Sequence, residues 1–182
     1  MGGDEALLNN SRPVLFGQAR PGTVLAVDVN DRRFFVEARA NGEWLFVPPA
    51  PLATGTTLVR VVEVDVSGRP RGDESSVMLS IGVDAQAVAP PSLRTAPSDA
   101  FAAPSPSLRG SGPAGMRLVI FVQSEGNLEP VQLAEVRIDG SGRWSVQPGV
   151  LSAGDYILWL VTYNENGTPI SRSATYAFSV EL

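Results

Sequence analysis

The chain of 182 residues has no cysteine, no histidine and no lysine, so all 14 of its basic residues are arginine. Without cysteine there is no disulfide, no thiolate nucleophile and no sulfur-ligated metal. Redox compartment cannot be read from this source, because a small exported sandwich with a sufficient core needs no disulfide. Without histidine and lysine, the general bases that work near neutral pH are missing, leaving carboxylates, tyrosines and hydroxyls. Two carboxylates could still hydrolyse a glycoside. The acidic residues, however, fall at turns and on outward strand positions, and no pair of them recurs at matched sites of the repeat described below except at Asp65, whose counterpart is Asn164. The expectation is a protein that is not an enzyme and carries no cofactor.

Long apolar runs are missing too: nothing approaches the ~18 residues of a membrane span. The opening Met1-Gly2-Gly3-Asp4-Glu5 has neither a basic start nor an apolar centre, so it does not read as a signal peptide. A formal charge of −5 and no cluster of cations exclude the electrostatic footprint of a nucleic-acid partner.

What the chain does have is a repeat. Pro13, Gly17, Gly22, Leu25, Val27 and Val29 match Pro106, Gly110, Gly115, Leu118, Ile120 and Val122 without a gap. Gly42-Glu43-Trp44 matches Gly142-Arg143-Trp144, and Leu52, Gly55 and Gly68 match Leu151, Gly154 and Gly167. Self-similarity across so many glycines and apolar positions predicts one small domain present twice. Val29 to Trp44 spans 15 positions and Val122 to Trp144 spans 22, so the second copy carries an insertion around Ser124-Glu125-Gly126-Asn127-Leu128-Glu129-Pro130. These are turn formers, and they predict a longer hairpin loop that leaves the core register intact.

Within each copy the periodicity is two. Leu25, Val27 and Val29 alternate with Val24, Ala26 and Asp28, and Phe34, Val36 and Ala38 alternate with Phe35, Glu37 and Arg39. Such alternation among β-branched and aromatic residues marks half-buried strands, and Asn30-Asp31 and Asn41-Gly42 mark turns. No helical stripe is visible. Residues 1–11 read as a polar tail, 12–84 as the first module, 85–104 as a Pro/Ala/Ser-rich connector and 105–182 as the second module. The prolines of the connector favour an extended, semi-stiff spacer. The predicted fold class is all-β, two tandem immunoglobulin-like β-sandwich domains joined by that linker.

The pattern Pro-x-x-x-Gly-x-x-x-x-Gly, then Gly-x-Trp, then Leu-x-x-Gly before a long strand, resembles bacterial Ig-like domains. Leu151-Ser152-Ala153-Gly154-Asp155-Tyr156 through Asn166-Gly167 carries the resemblance best. It implies a module of the kind found in surface adhesins and envelope proteins, some of them beside peptidoglycan-binding LysM modules. No LysM-like segment is present, so peptidoglycan binding does not follow. The motifs are structural and name no ligand.

Candidate functional residues are few. Trp44 and Trp144 could be sugar platforms, but their matched positions beside inward-facing residues read as core plugs. If Tyr156, Leu158 and Leu160 face inward, Ile157, Trp159, Val161 and Tyr163 form an apolar stripe on the opposite face, where the first copy has Leu58, Arg60, Val62 and Val64. Such a stripe marks an interface, unless the strand is covered on both sides. Arg32 and Arg33 precede two phenylalanines at a hairpin tip, where they either grip an acidic glycan or protein or are simply solvated. Asp28, Asn30 and Asp31, with Asp65, have the hard oxygens of a calcium site, against the plainer reading of a hairpin turn. Arg71-Gly72-Asp73 spells a tripeptide that integrins recognise, a match that chance supplies readily.

The functional expectation is a structural spacer or protein-binding module of a bacterial envelope or surface protein, cut from a longer exported chain. Its partners would be another protein or further copies of the repeat. A carbohydrate-binding module and a cytoplasmic or secretion-associated assembly subunit are the alternatives.

Overall fold

Alternating side chains make strands the dominant element of the chain, and the glycines punctuate them. The computed structural model describes residues 7–102, 106–125, 127 and 129–181. Expectations placed on 1–6, 103–105, Gly126 and Leu128 lie outside the described residues. The chain divides into two compact units, Met1–Val88 and Ala89–Leu182.

The first unit contains β1 (Leu7–Asn10), β2 (Leu15–Gln18), β3 (Val24–Val29), β4 (Arg32–Glu37), β5 (Glu43–Phe46), β6 (Gly55–Val64) and β7 (Ser75–Gln86). One sheet has the order β1-β7-β6-β3-β4, and β2 pairs β5 in the other. Val27, Val29, Leu52, Val59 and Ile81 form the main buried cluster, with Leu25, Ala38 and Trp44 in a second. Seven strands split between two facing sheets make an immunoglobulin-like sandwich.

The second unit contains β8 (Ser92–Leu93), α1 (Pro97–Phe101), β9 (Leu108–Ser111), β10 (Arg117–Ser124), β11 (Val131–Arg137), β12 (Arg143–Val146), β13 (Gly154–Tyr163), β14 (Pro169–Arg172) and β15 (Tyr176–Val180). Its larger sheet has the order β11-β10-β13, with both β14 and β15 on the far side of β13, and its smaller sheet has the order β12-β9-β8. The long last strand of the first unit is thus broken here into β14 and β15. Ser173 sits in the break, where its hydroxyl accepts from the Leu160 amide at 3.0 Å and keeps that buried group satisfied.

The repeated Gly and Trp meet in space. Gly17 pairs Trp44 across β2 and β5, and Gly110 pairs Trp144 across β9 and β12. Both indoles are buried, at 9% and 4% exposure. A Cβ on Gly17 would lie 2.8 Å from Trp44 Nε1, so only glycine leaves room for the ring. In the second unit, the Trp144 Nε1–H donates to the Ser111 carbonyl at 3.2 Å.

Two segments differ from the reading of the sequence. Residues 7–11, placed there in a polar tail, instead form β1, which runs parallel to β7, and the chain beside it. Asn10 is buried, and its amide donates to the Val88 carbonyl at 3.2 Å and accepts from the Val88 N–H at 3.0 Å. Polar composition misled because this side chain replaces a rung of backbone pairing. Residues 85–104, placed in a connector, include the end of β7, all of β8 and all of α1. Proline bars a ladder position but fits the first turn of a helix, where Pro97 stands. Ala100 and Phe101 are buried in the second core, and Phe101 stacks on Phe178 with centroids 5.3 Å apart. In the gapless register of the repeat, Phe101 occupies the place of Leu8 on β1, so the same position enters the core from a helix in one unit and a strand in the other. No described helix is long and apolar enough to cross a membrane.

Candidate functional site

Along β13, Leu158, Leu160 and Thr162 are fully buried between the sheets, which turns Ile157, Trp159, Val161 and Tyr163 to the opposite face. All four are half-buried there. The neighbouring strand β10 sets a partner against each: Gln123 opposite Ile157, Phe121 opposite Trp159, Val119 opposite Val161 and Arg117 opposite Tyr163. On the other side, Arg172 of β14 pairs Val161.

The face is a ladder of rings and guanidinium groups. Phe121 and Trp159 stack at 5.7 Å between centroids with 19° between planes. The Arg117 guanidinium lies 4.7 Å over the Tyr163 ring and bonds Glu135 at 3.0 Å. The Arg172 guanidinium lies 5.8 Å from the centre of the Trp159 ring. Phe121 and Arg172 come from strands on opposite sides of β13, so they flank the indole. Each ring pair or cation contact of this sort contributes about 0.5–1.5 kcal/mol beyond the area it buries.

Phe121, Arg117 and Arg172 were not singled out from the sequence. The signal was present for Phe121: matching Leu118, Ile120 and Val122 to an inward-facing set sends Val119, Phe121 and Gln123 outward. Arg172 had no such signal, since the break after β14 hides its register.

The first unit builds a different face at the matched positions. Leu58 and Arg60 are exposed, while Val62 and Val64 are buried with Ala26. Arg60 lies 3.7 Å from Glu74.

Arg32 and Arg33 follow a two-residue turn in which Asn30 and Asp31 have φ of 50° and 60°, the left-handed pair that a tight hairpin demands. Arg32 is exposed. Arg33 forks onto Asp28 with hydrogen bonds of 2.8 and 2.7 Å. That fork holds the Asp28 carboxyl below its ordinary range, against an opposing push from burial and with further help from the charges of Arg33 and Arg60. Both Asp28 oxygens are therefore engaged by a cation of the protein itself. Asp65, the other oxygen considered for calcium, accepts from the Ser67 amide and hydroxyl and the Arg69 amide within its own turn. Among the described residues no three carboxylates gather into a metal site. Arg71, Gly72 and Asp73 lie on an exposed loop, with Gly72 at φ 89°. Trp44 and Trp144 are the core pegs described above and offer no open ring.

No protein-family model matches the chain, and no curated protein matches it either. Solved structures of similar architecture exist. A tetra-tandem repeat from the extending region of a large adhesion protein is 18% identical over 97% of this chain and 47% of its own, with a TM-score of 0.36. The BSP domain of a biofilm associated protein is 14% identical over 96% of this chain and 28% of its own, with a TM-score of 0.37. A two-domain fibronectin type-III segment from chicken tenascin is 12% identical over 95% and 94%, with a TM-score of 0.29. The chain spans less than half of the length of the first two. The similarity is one of β-sandwich architecture, and the fold itself rests on the strand order given above.

Proposed function

We propose that the chain is a non-catalytic, two-module structural and protein-binding element of a bacterial envelope or surface protein. The observation that carries this reading is the ring and guanidinium ladder on β10, β13 and β14. It spends large, costly side chains on the outside of a sheet whose core is already complete. Aromatic rings and arginine are the residues that dominate protein interfaces. The first unit lacks the ladder and suits a spacer role. Composition supports the absence of catalysis, since the chain has no histidine, cysteine or lysine. The motif resemblance to bacterial Ig-like domains supports the surface location.

A sugar platform needs an open ring face, and Trp159 has Phe121 and Arg172 against its ring. A protein partner, which can lie across the edges of the ladder, fits better.

Antibody labelling of intact cells tests the location: the account expects signal without lysis, and signal only after lysis contradicts it. A photo-crosslinking residue at position 159 tests the partner. Adducts at 159 that are missing from a control at position 60 agree with the proposal, and equal yields at both positions contradict it.

A further inference from the structure

The ladder ends in a cleft whose counterpart in the first unit is lined by different side chains. Gln123, Ile157 and Ala177 lie in register across β10, β13 and β15 and form its floor. Its volume is about 630 Å³. Glu125 and Asn127, from the inserted loop, line one side, and Asp155 and Ser179 close the end. The loop is fastened at two points. The Glu125 amide donates to the Asp155 carbonyl at 2.9 Å, and the Gln123 side-chain amide donates to the Asn127 carbonyl at 2.6 Å.

The matched place in the first unit supplies its own cation. There the cavity is lined by Asp28, Asn30, Asp31, Arg33, Leu58 and Arg60, and Arg33 forks the Asp28 carboxylate. In the second unit Gln123 stands for Asn30, Ile157 for Leu58 and Trp159 for Arg60. Arg60 is thus replaced by a ring, Asp28 by Phe121, and the tight turn by a longer loop. Glu125 and Asp155 are exposed, and among the described residues no arginine forms an ion pair with either. The Ser179 hydroxyl donates to Asp155 Oδ1.

We propose that this cleft receives a cationic side chain, arginine or lysine, from an extended apolar segment of a partner protein. This deepens the binding role proposed above and rests on it. An apolar floor accepts the methylene stem while the carboxylates at the rim meet the charged head. From Asp155 to Tyr163 the face runs roughly 26 Å, eight steps of strand, which matches an extended segment better than a single amino acid. The chain's formal charge of −5 attracts such a partner over distance.

An NMR titration of the full chain with acetyl-Leu-Arg-Leu-Arg-Leu-amide tests it. Saturable shifts are expected at Gln123, Ile157, Ala177 and the Trp159 indole, weakening as salt rises. The double variant E125Q/D155N, which keeps the Ser179 contact, is expected to bind about tenfold or more weakly. W159F is expected to fold and to retain binding at the rim. No saturable shift, equal affinity in the double variant, or equal binding of acetyl-Leu-Glu-Leu-Glu-Leu-amide overturns the proposal. So do the same shifts appearing on concentration of the chain alone, which would assign the cleft to a second copy. A failure here with position 159 still forming specific adducts on cells removes this inference and leaves the binding role standing.

Discussion

Gly110 stands directly across the ladder from Trp144, and the indole fills the space a Cβ would need. The carbonyl oxygen of Ser92 on β8 crowds the same point, so Gly110 is hemmed in by backbone as well as by the ring. Gly17 and Trp44 make the matched pair in the first unit, but there the nearest atoms belong to the indole alone. A side chain can lean away, and a backbone carbonyl held in a sheet cannot. G110A is therefore expected to destabilise the second unit by about 1–3 kcal/mol, the range for an overfilled core, and G17A the first unit by less. W144A, which empties the site, should cost about 3–5 kcal/mol. Denaturant unfolding followed separately for each unit checks the order. G17A proving costlier than G110A would contradict the packing described.

Asn10 and Val88 form a pair that sequence spacing conceals, one side chain serving both polar groups of a buried backbone position. N10A should leave the Val88 amide and carbonyl without that partner and destabilise the first unit by about 1–3 kcal/mol. Hydrogen exchange at the Val88 amide is the readout, and unchanged protection would refute the clamp.

Asp65 and Asp139 hold turns with the same hydrogen-bond pattern at different places in the two units. Asp139 accepts from the Ser141 amide, the Ser141 hydroxyl and the Arg143 amide, as Asp65 does from Ser67 and Arg69. These donors hold both carboxyls below their ordinary value, led by the Ser67 hydroxyl for Asp65 and the Arg143 amide for Asp139. A carboxyl lowered by folding stabilises the fold above its unfolded value, and that contribution is lost as pH falls through the folded value. Acid titration of stability should therefore show a decline below the ordinary aspartate range, and D139N should flatten the part owed to the second unit. Asn164 shows that an amide can hold such a turn, since its side-chain oxygen accepts from the Thr168 amide at 2.8 Å. An identical acid profile in D139N would exclude Asp139 as a source.

Phe121 and Trp159 are expected to be coupled. A double-mutant cycle to alanine should give about 0.5–1.5 kcal/mol of interaction, with the first unit's unfolding untouched. Additive losses would mean the rings stack without stabilising each other.

Much of this fold was legible because its signals are local. Period-two alternation located β3, β4, β6 and β13, and glycines at Gly42, Gly68, Gly142 and Gly167, all with positive φ, marked turns. The outward set Ile157, Trp159, Val161 and Tyr163 followed from the inward set on the same strand. What was not legible depends on partners distant in sequence. β1 is a strand because β7 pairs it, and Asn10 is interior because Val88 lies 78 residues away. Phe101 enters a core through one turn of helix too short to leave a periodic pattern. Arg33 looked like a free cation at a hairpin tip until the fold set Asp28 opposite it.

Hydrogen exchange of the three indole N–H protons in the intact chain tests the central claim, that two tryptophans close the sandwiches and the third faces a partner. Trp44 and Trp144 should exchange only with opening of their own units, and Trp159 far faster. Trp144 exchanging as quickly as Trp159 would contradict the account.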